Sequence, residues 1–112
     1  MRKIIFLALL ATMSQATDYD RCGMTMEEGN KAVEKAVLYF DIKKYDDAYI
    51  QFDSAIHWQV ESIAACEYFK DEFTKELPQL IKWRDTAMAA YENQQELKYL
   101  RMQRKALENL DI

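Results

Sequence analysis

Residues 29–62, GNKAVEKAVLYFDIKKYDDAYIQFDSAIHWQVES, decide the fold. Val33, Ala36, Val37 and Phe40 recur at three- and four-residue spacing, the period of one apolar face of an α-helix. Lys43, Lys44 and Tyr45 interrupt that period as a tight turn, and the two lysines suit the partial negative charge at a helix C-terminus. Asp46 then reads as an N-cap with Asp47 in the first turn. Ala48, Phe52, Ala55, Ile56 and Val60 form a second stripe. The segment therefore predicts two helices folded back on each other as an αα-hairpin.

Working outward, Thr25-Met26-Glu27-Glu28 has the pattern of a capping box, which predicts that the first helix starts at Thr25 and runs to about Ile42. Residues 17–24 before it read as a polar, extended lead-in. On the other side, Ile63, Cys66, Phe69 and Phe73 continue the helical period to about Lys75. Ser62 is an alternative fresh cap, so the pattern allows either one rod or a break between Gln59 and Ser62. Pro78 fits the first turn of the next helix, where its missing N–H costs nothing. Leu80, Ile81, Arg84, Ala87, Met88 and Tyr91 line that helix. Residues 92–96 are wholly polar, so the core is expected to end near Tyr91, although Leu97, Leu100, Arg104 and Leu107 keep a similar spacing. With Gly23, Gly29 and Pro78 the only residues of their kinds in 112, long helices are expected. The predicted fold class is all-α: a hairpin extended by one or two further helices, with its core in 25–91 and a polar, basic helix over 92–112.

Within 29–62 the pattern resembles a tetratricopeptide repeat (TPR), a unit of about 34 residues in which small residues sit where two helices cross and aromatics fill the gaps. Ala36 and Tyr39 match the first helix, Tyr45 the aromatic after the turn, and Ala48, Phe52 and Ala55 the second helix. Ala32, Lys35 and Val60 depart from the family, standing where it often has Trp, Leu and Pro. A shift by one unit length gives Lys70, Phe73, Lys82, Thr86 and Ala89, a poor second repeat. Because such units stack in arrays to bury a shared core, the resemblance implies a TPR-like hairpin and not a solenoid. It also implies a scaffold for protein partners whose first helix lines the binding groove, through Asn30, Val33, Val37 and Asp41.

The start of the chain has the layout of a secretory signal peptide. Arg2 and Lys3 precede an apolar run over 4–11, and Ser14 and Ala16 are small residues at the positions a signal peptidase reads. The run is far short of the roughly 20 residues that span a bilayer. Cleavage after Ala16 is expected, leaving no stable membrane span and placing the protein in a periplasmic or secreted location. Cys22 and Cys66 are the only cysteines, and in an oxidising compartment an even count reads as a disulfide.

The chain carries 15 basic and 19 acidic residues, a net charge of −4. That balance argues against nucleic acid, whose binding draws on a basic face. Asp53, His57 and Glu61 lie four apart, on one helix face. They offer the alternative reading, a small helical bundle that binds a ligand or metal. No Glu-x-x-His pair, glycine-rich phosphate loop, Gly-x-Ser-x-Gly or haem-attachment motif occurs, so no catalytic set and no cofactor is expected. Lys98, Arg101, Arg104 and Lys105, flanked by Glu96 and Glu108, form the one basic cluster in an acidic chain. They read as a docking element for an acidic protein partner, or for self-association with the protein's own acidic surface. The functional expectation is an exported, non-catalytic protein–protein interaction module.

Overall fold

The computed structural model describes residues 19–110, which are helical almost throughout. Helix α1 spans Tyr19–Asp41, α2 Tyr45–Ala65 and α3 Lys70–Asn109, with a 3-10 turn over Glu67–Phe69 between the last two. The described residues contain no strand. The expected leader, 1–16, lies outside them.

Three layers of buried residues join the helices. The first holds Cys22, Met26, Cys66 and Phe73, closed by Ile63, Ala65 and Phe69. The second holds Ala32, Val33, Ala55 and Leu80. The third holds Ala36, Ala48, Phe52 and Ala87, with Tyr39, Phe40 and Tyr49 around it. Trp83 packs against both the second and the third layer. Alanines at Ala32, Ala36, Ala48, Ala55 and Ala87 are all buried, which lets the helix backbones approach closely while Phe52 and Leu80 fill the space between. On α3 the buried residues Phe73, Leu80 and Ala87 recur every seven positions, the spacing that keeps a straight seam against neighbouring helices.

The α1–α2 turn forms at Ile42, Lys43 and Lys44, whereas Tyr45, expected in the turn, already opens α2. Lys43 has φ 64°, its N–H donates to the Phe40 carbonyl at 3.0 Å, and the Lys44 N–H donates to the Tyr39 carbonyl at 2.8 Å. These paired bonds form a Schellman termination, which takes a left-handed residue and is usually built on glycine. Lysine there bears a cost for its Cβ, so Lys43→Gly is expected to raise stability by about 0.5–1 kcal/mol, seen as a higher denaturation midpoint.

Several boundaries differ from the sequence expectation. The lead-in is not extended up to residue 24, because α1 already begins at Tyr19. Thr25 therefore lies inside the helix and makes no capping box: its hydroxyl donates to the Cys22 carbonyl at 2.9 Å. Asp46 is not the N-cap of α2. Lys44 holds that place with no side-chain cap, and Asp46 and Asp47 lie in the first turn. The second helix is continuous past Gln59 and ends at Ala65, since Cys66 takes non-helical angles (φ −111°, ψ 80°). Pro78 does not open a helix but sits about two turns inside α3. It removes the N–H that would bond the Thr74 carbonyl. The helix tolerates this because Phe73, one turn earlier, is anchored in the first core layer. Cys22 and Cys66 are disulfide-bonded, Cα to Cα 5.1 Å, tying the first turns of α1 to the break after α2.

Candidate docking surface

Helix α3 outruns the hairpin. Its core seam, Phe73–Leu80–Ala87, next reaches Gln94, whose Nε2 donates to the Lys43 carbonyl of the α1–α2 turn at 3.1 Å. That bond marks the tip of the bundle, and every residue over 92–110 is exposed. At about 1.5 Å per residue the helix continues some 24 Å past Gln94. At that rise the 40 residues of α3 make a rod about 60 Å long.

Beyond the tip α3 remains two-sided, but its apolar side has moved. With about 3.6 residues per turn, Tyr99, Leu100, Met102, Ala106, Leu107 and Leu110 fall on one broad side, interrupted by Gln103. Lys98, Arg101, Arg104 and Lys105 fall on the other, with Leu97 and Glu108 among them. Seven residues after Gln94 comes Arg101, so the direction that faces the hairpin in the core half becomes the basic side in the projecting half. The apolar side points away from the hairpin. Its residues are open to solvent: Leu100 is 49% exposed, Leu107 68% and Leu110 63%. Within it the Gln103 Nε2 donates to the Tyr99 hydroxyl at 2.9 Å, so these two polar groups partner each other.

The four basic residues are thus brought together on one exposed helix. The α1 residues are not assembled in the same way. Val33 is fully buried against Ala55 and Leu80, and Val37 packs between the second and third layers. Val33 is therefore closed off from any groove, while Val37 keeps part of its surface exposed. Asn30 is half-buried and Asp41 exposed. The outward apolar residues of the hairpin are Met24, Leu38, Ile42, Ile50 and Val60, so Val60 does not join the buried stripe of α2 that its spacing suggested.

Nor do Asp53, His57 and Glu61 converge on a common point. Asp53 Oδ1 pairs with Arg84 Nη1 at 3.2 Å, Glu61 Oε1 with Arg21 Nη2 at 3.2 Å, and the His57 ring lies against Trp58. The Asp53 bond is the main cause of an upward shift of the Arg84 pKa. The row bridges the three helices: Glu61 reaches α1 and Asp53 reaches α3. Among the described residues no group of three His, Cys, Asp or Glu side chains is placed to hold a metal ion.

Sequence reasoning missed a buried polar set between the first two layers. The Ser62 hydroxyl donates to Thr25 Oγ1 at 3.0 Å, and the Thr25 hydroxyl in turn donates to the Cys22 carbonyl. Beside them, buried Gln59 donates to the Phe73 carbonyl at 2.9 Å and to Glu76 Oε1 at 3.2 Å. Burial pushes the Glu76 carboxyl pKa up, and the Gln59 hydrogen bond partly offsets this. These bonds join all three helices. The available signal was that Gln59 and Ser62 fall on the apolar stripe of α2, at three- and four-residue spacing from Ala55 and Cys66.

Compared with known proteins, the chain matches no family model, no curated protein and no solved structure at a significant level.

Proposed function

We infer that the protein is an exported, non-catalytic protein–protein interaction module: a TPR-like hairpin serves as the scaffold and the end of α3 as a docking arm. The observation that carries this reading is the exposure of the whole of 92–110 on a helix continuous with the core. A helix that serves only its own bundle has no reason to continue some 24 Å beyond its last buried layer while keeping two chemically distinct sides. The alanine-lined crossing of α1 and α2 supports the TPR-like reading, because the small residues are buried where that resemblance puts them. Export is supported by the disulfide. Among the described residues no helix is long and apolar enough to cross a membrane. The alternative, a ligand or metal on the Asp53–His57–Glu61 face, is less favoured because both carboxylates already hold arginines.

The test is to recover associated material from the exported fraction with the unaltered protein and with a variant in which Lys98, Arg101, Arg104 and Lys105 are all glutamine. Association is expected to fall in the variant, and to fall for the unaltered protein as salt rises, since exposed charges are screened. Equal recovery by the two proteins would show that the arm takes no part in docking.

A further inference from the structure

We propose that the arm, 97–110, is a membrane-surface helix that lies on anionic lipid with its Tyr99–Leu100–Leu107–Leu110 side in the headgroup–acyl boundary. This goes beyond the protein-docking reading above: it starts from the same exposed arm and assigns it a lipid surface in place of a protein partner.

The first argument is the distribution of side chains. An interfacial helix needs a broad apolar side, a polar side rich in Lys and Arg, and low overall hydrophobicity. Here the apolar residues spread over nearly half the helix circumference, wider than the narrow seam of a coiled coil. Arg104 and Lys98 stand at its two margins, where long basic side chains lay their stems along apolar surface and lift their charges to the headgroups. Tyr99 carries a phenol of the kind enriched at that depth, and its bond with Gln103 keeps both polar groups partnered.

The second argument is charge. Over 97–110 there are four basic residues and one acidic residue, Glu108, in a chain whose net charge is −4. Pairing with a second copy would set one basic arm against another, whereas an anionic bilayer attracts both.

The third argument is clearance. The apolar side of the arm points away from the hairpin, because the hairpin-facing direction of α3 passes from Ala87 through Gln94 to Arg101. When the arm lies on a flat surface, α1 and α2 sit on the far side of α3. The α1 carboxylates Glu27, Glu34 and Asp41 are then held away from the lipid, whereas Asp85, Glu92 and Glu96, which the helix period puts on the same side of α3 as Tyr99, border the arm toward the core and oppose binding with a repulsion screened over about 8–10 Å. A concave site is not required, and the outer apolar residues reach the surface without rearranging the bundle.

The experiment is co-sedimentation of the protein, as isolated, with phosphatidylcholine vesicles that contain or lack phosphatidylglycerol. Binding is expected only with phosphatidylglycerol and is expected to drop steeply as salt rises from low to high. In a variant carrying Lys98→Gln, Arg101→Gln and Lys105→Gln it should weaken by roughly a hundredfold. Leu100→Glu with Leu107→Glu should abolish it while leaving the circular dichroism of the bundle unchanged, because both leucines are exposed. Absence of binding to phosphatidylglycerol vesicles at low salt overturns the proposal, and so does equal binding by the variants, which would place attachment elsewhere in the chain. If vesicles fail while glutamine substitution of the basic residues still lowers recovery of a protein from the exported fraction, the arm docks on protein. The lipid assignment then falls and the docking reading stands. Failure of both removes both.

Discussion

Phe52→Ala is expected to lower the unfolding free energy by about 3–5 kcal/mol, the range for deleting a fully buried aromatic ring. Phe52 has no exposed surface and sits in the third layer among Ala36, Ala48 and Ala87. Its ring centroid lies 6.0 Å from that of Trp83, so the mutation also removes an aromatic contact between α2 and α3. The methyl groups of the alanines around it cannot reach into the space, and the cavity is expected to persist rather than collapse. Equilibrium denaturation with circular dichroism reads the effect. A loss under 1 kcal/mol would mean that the α2 face is misassigned.

Loss of the Cys22–Cys66 bond is the second large effect. The bond closes a loop over a sequence separation of 44 residues. On the chain-entropy account a loop of that size contributes about 4 kcal/mol by restricting the unfolded chain. Substituting alanine for both cysteines, or adding a reductant, is therefore expected to shift the denaturation midpoint down by a comparable amount. The damage should concentrate in the first layer, where Met26, Phe69 and Phe73 pack around the disulfide. Coincident midpoints with and without reductant would show that the bond contributes nothing to stability. The bundle depends on it because each of its layers is small: several core positions are alanine, which buries little apolar surface per residue.

The central hairpin was legible in sequence because its signals are local and agree. The periods of α1 and α2, the Lys43-Lys44-Tyr45 interruption and the small residues at Ala36, Ala48 and Ala55 all point to the same antiparallel pair. The boundaries were less legible, since each depends on a distant partner. Thr25 reads as a cap by its neighbours, yet its hydroxyl meets Ser62, 37 residues away, inside a helix that starts earlier. Cys66 carries no breaker signal, and the pattern ran through it. The helix stops there, at the residue bonded to Cys22, 44 positions earlier. Pro78 reads as a start by its own chemistry, and only the anchoring of Phe73 in the core explains why α3 begins before it. The candidate surface was legible in part. The four basic residues stand out by composition, and the spacing of Leu97, Leu100 and Leu107 was visible. That the apolar side turns away from the hairpin was not, because it follows from where Gln94 meets the turn.

The account stands or falls on the division of α3 into a core half and a docking half. Its most direct test is removal of residues 98–112, followed by thermal unfolding and by recovery of associated material from the exported fraction. The result predicted is a bundle whose stability changes by less than about 0.5 kcal/mol, as for surface changes that touch no core contact, together with clear loss of association. Unfolding on truncation would contradict the account by making the arm part of the core, and unchanged fold with unchanged association would contradict it by leaving the arm without a role.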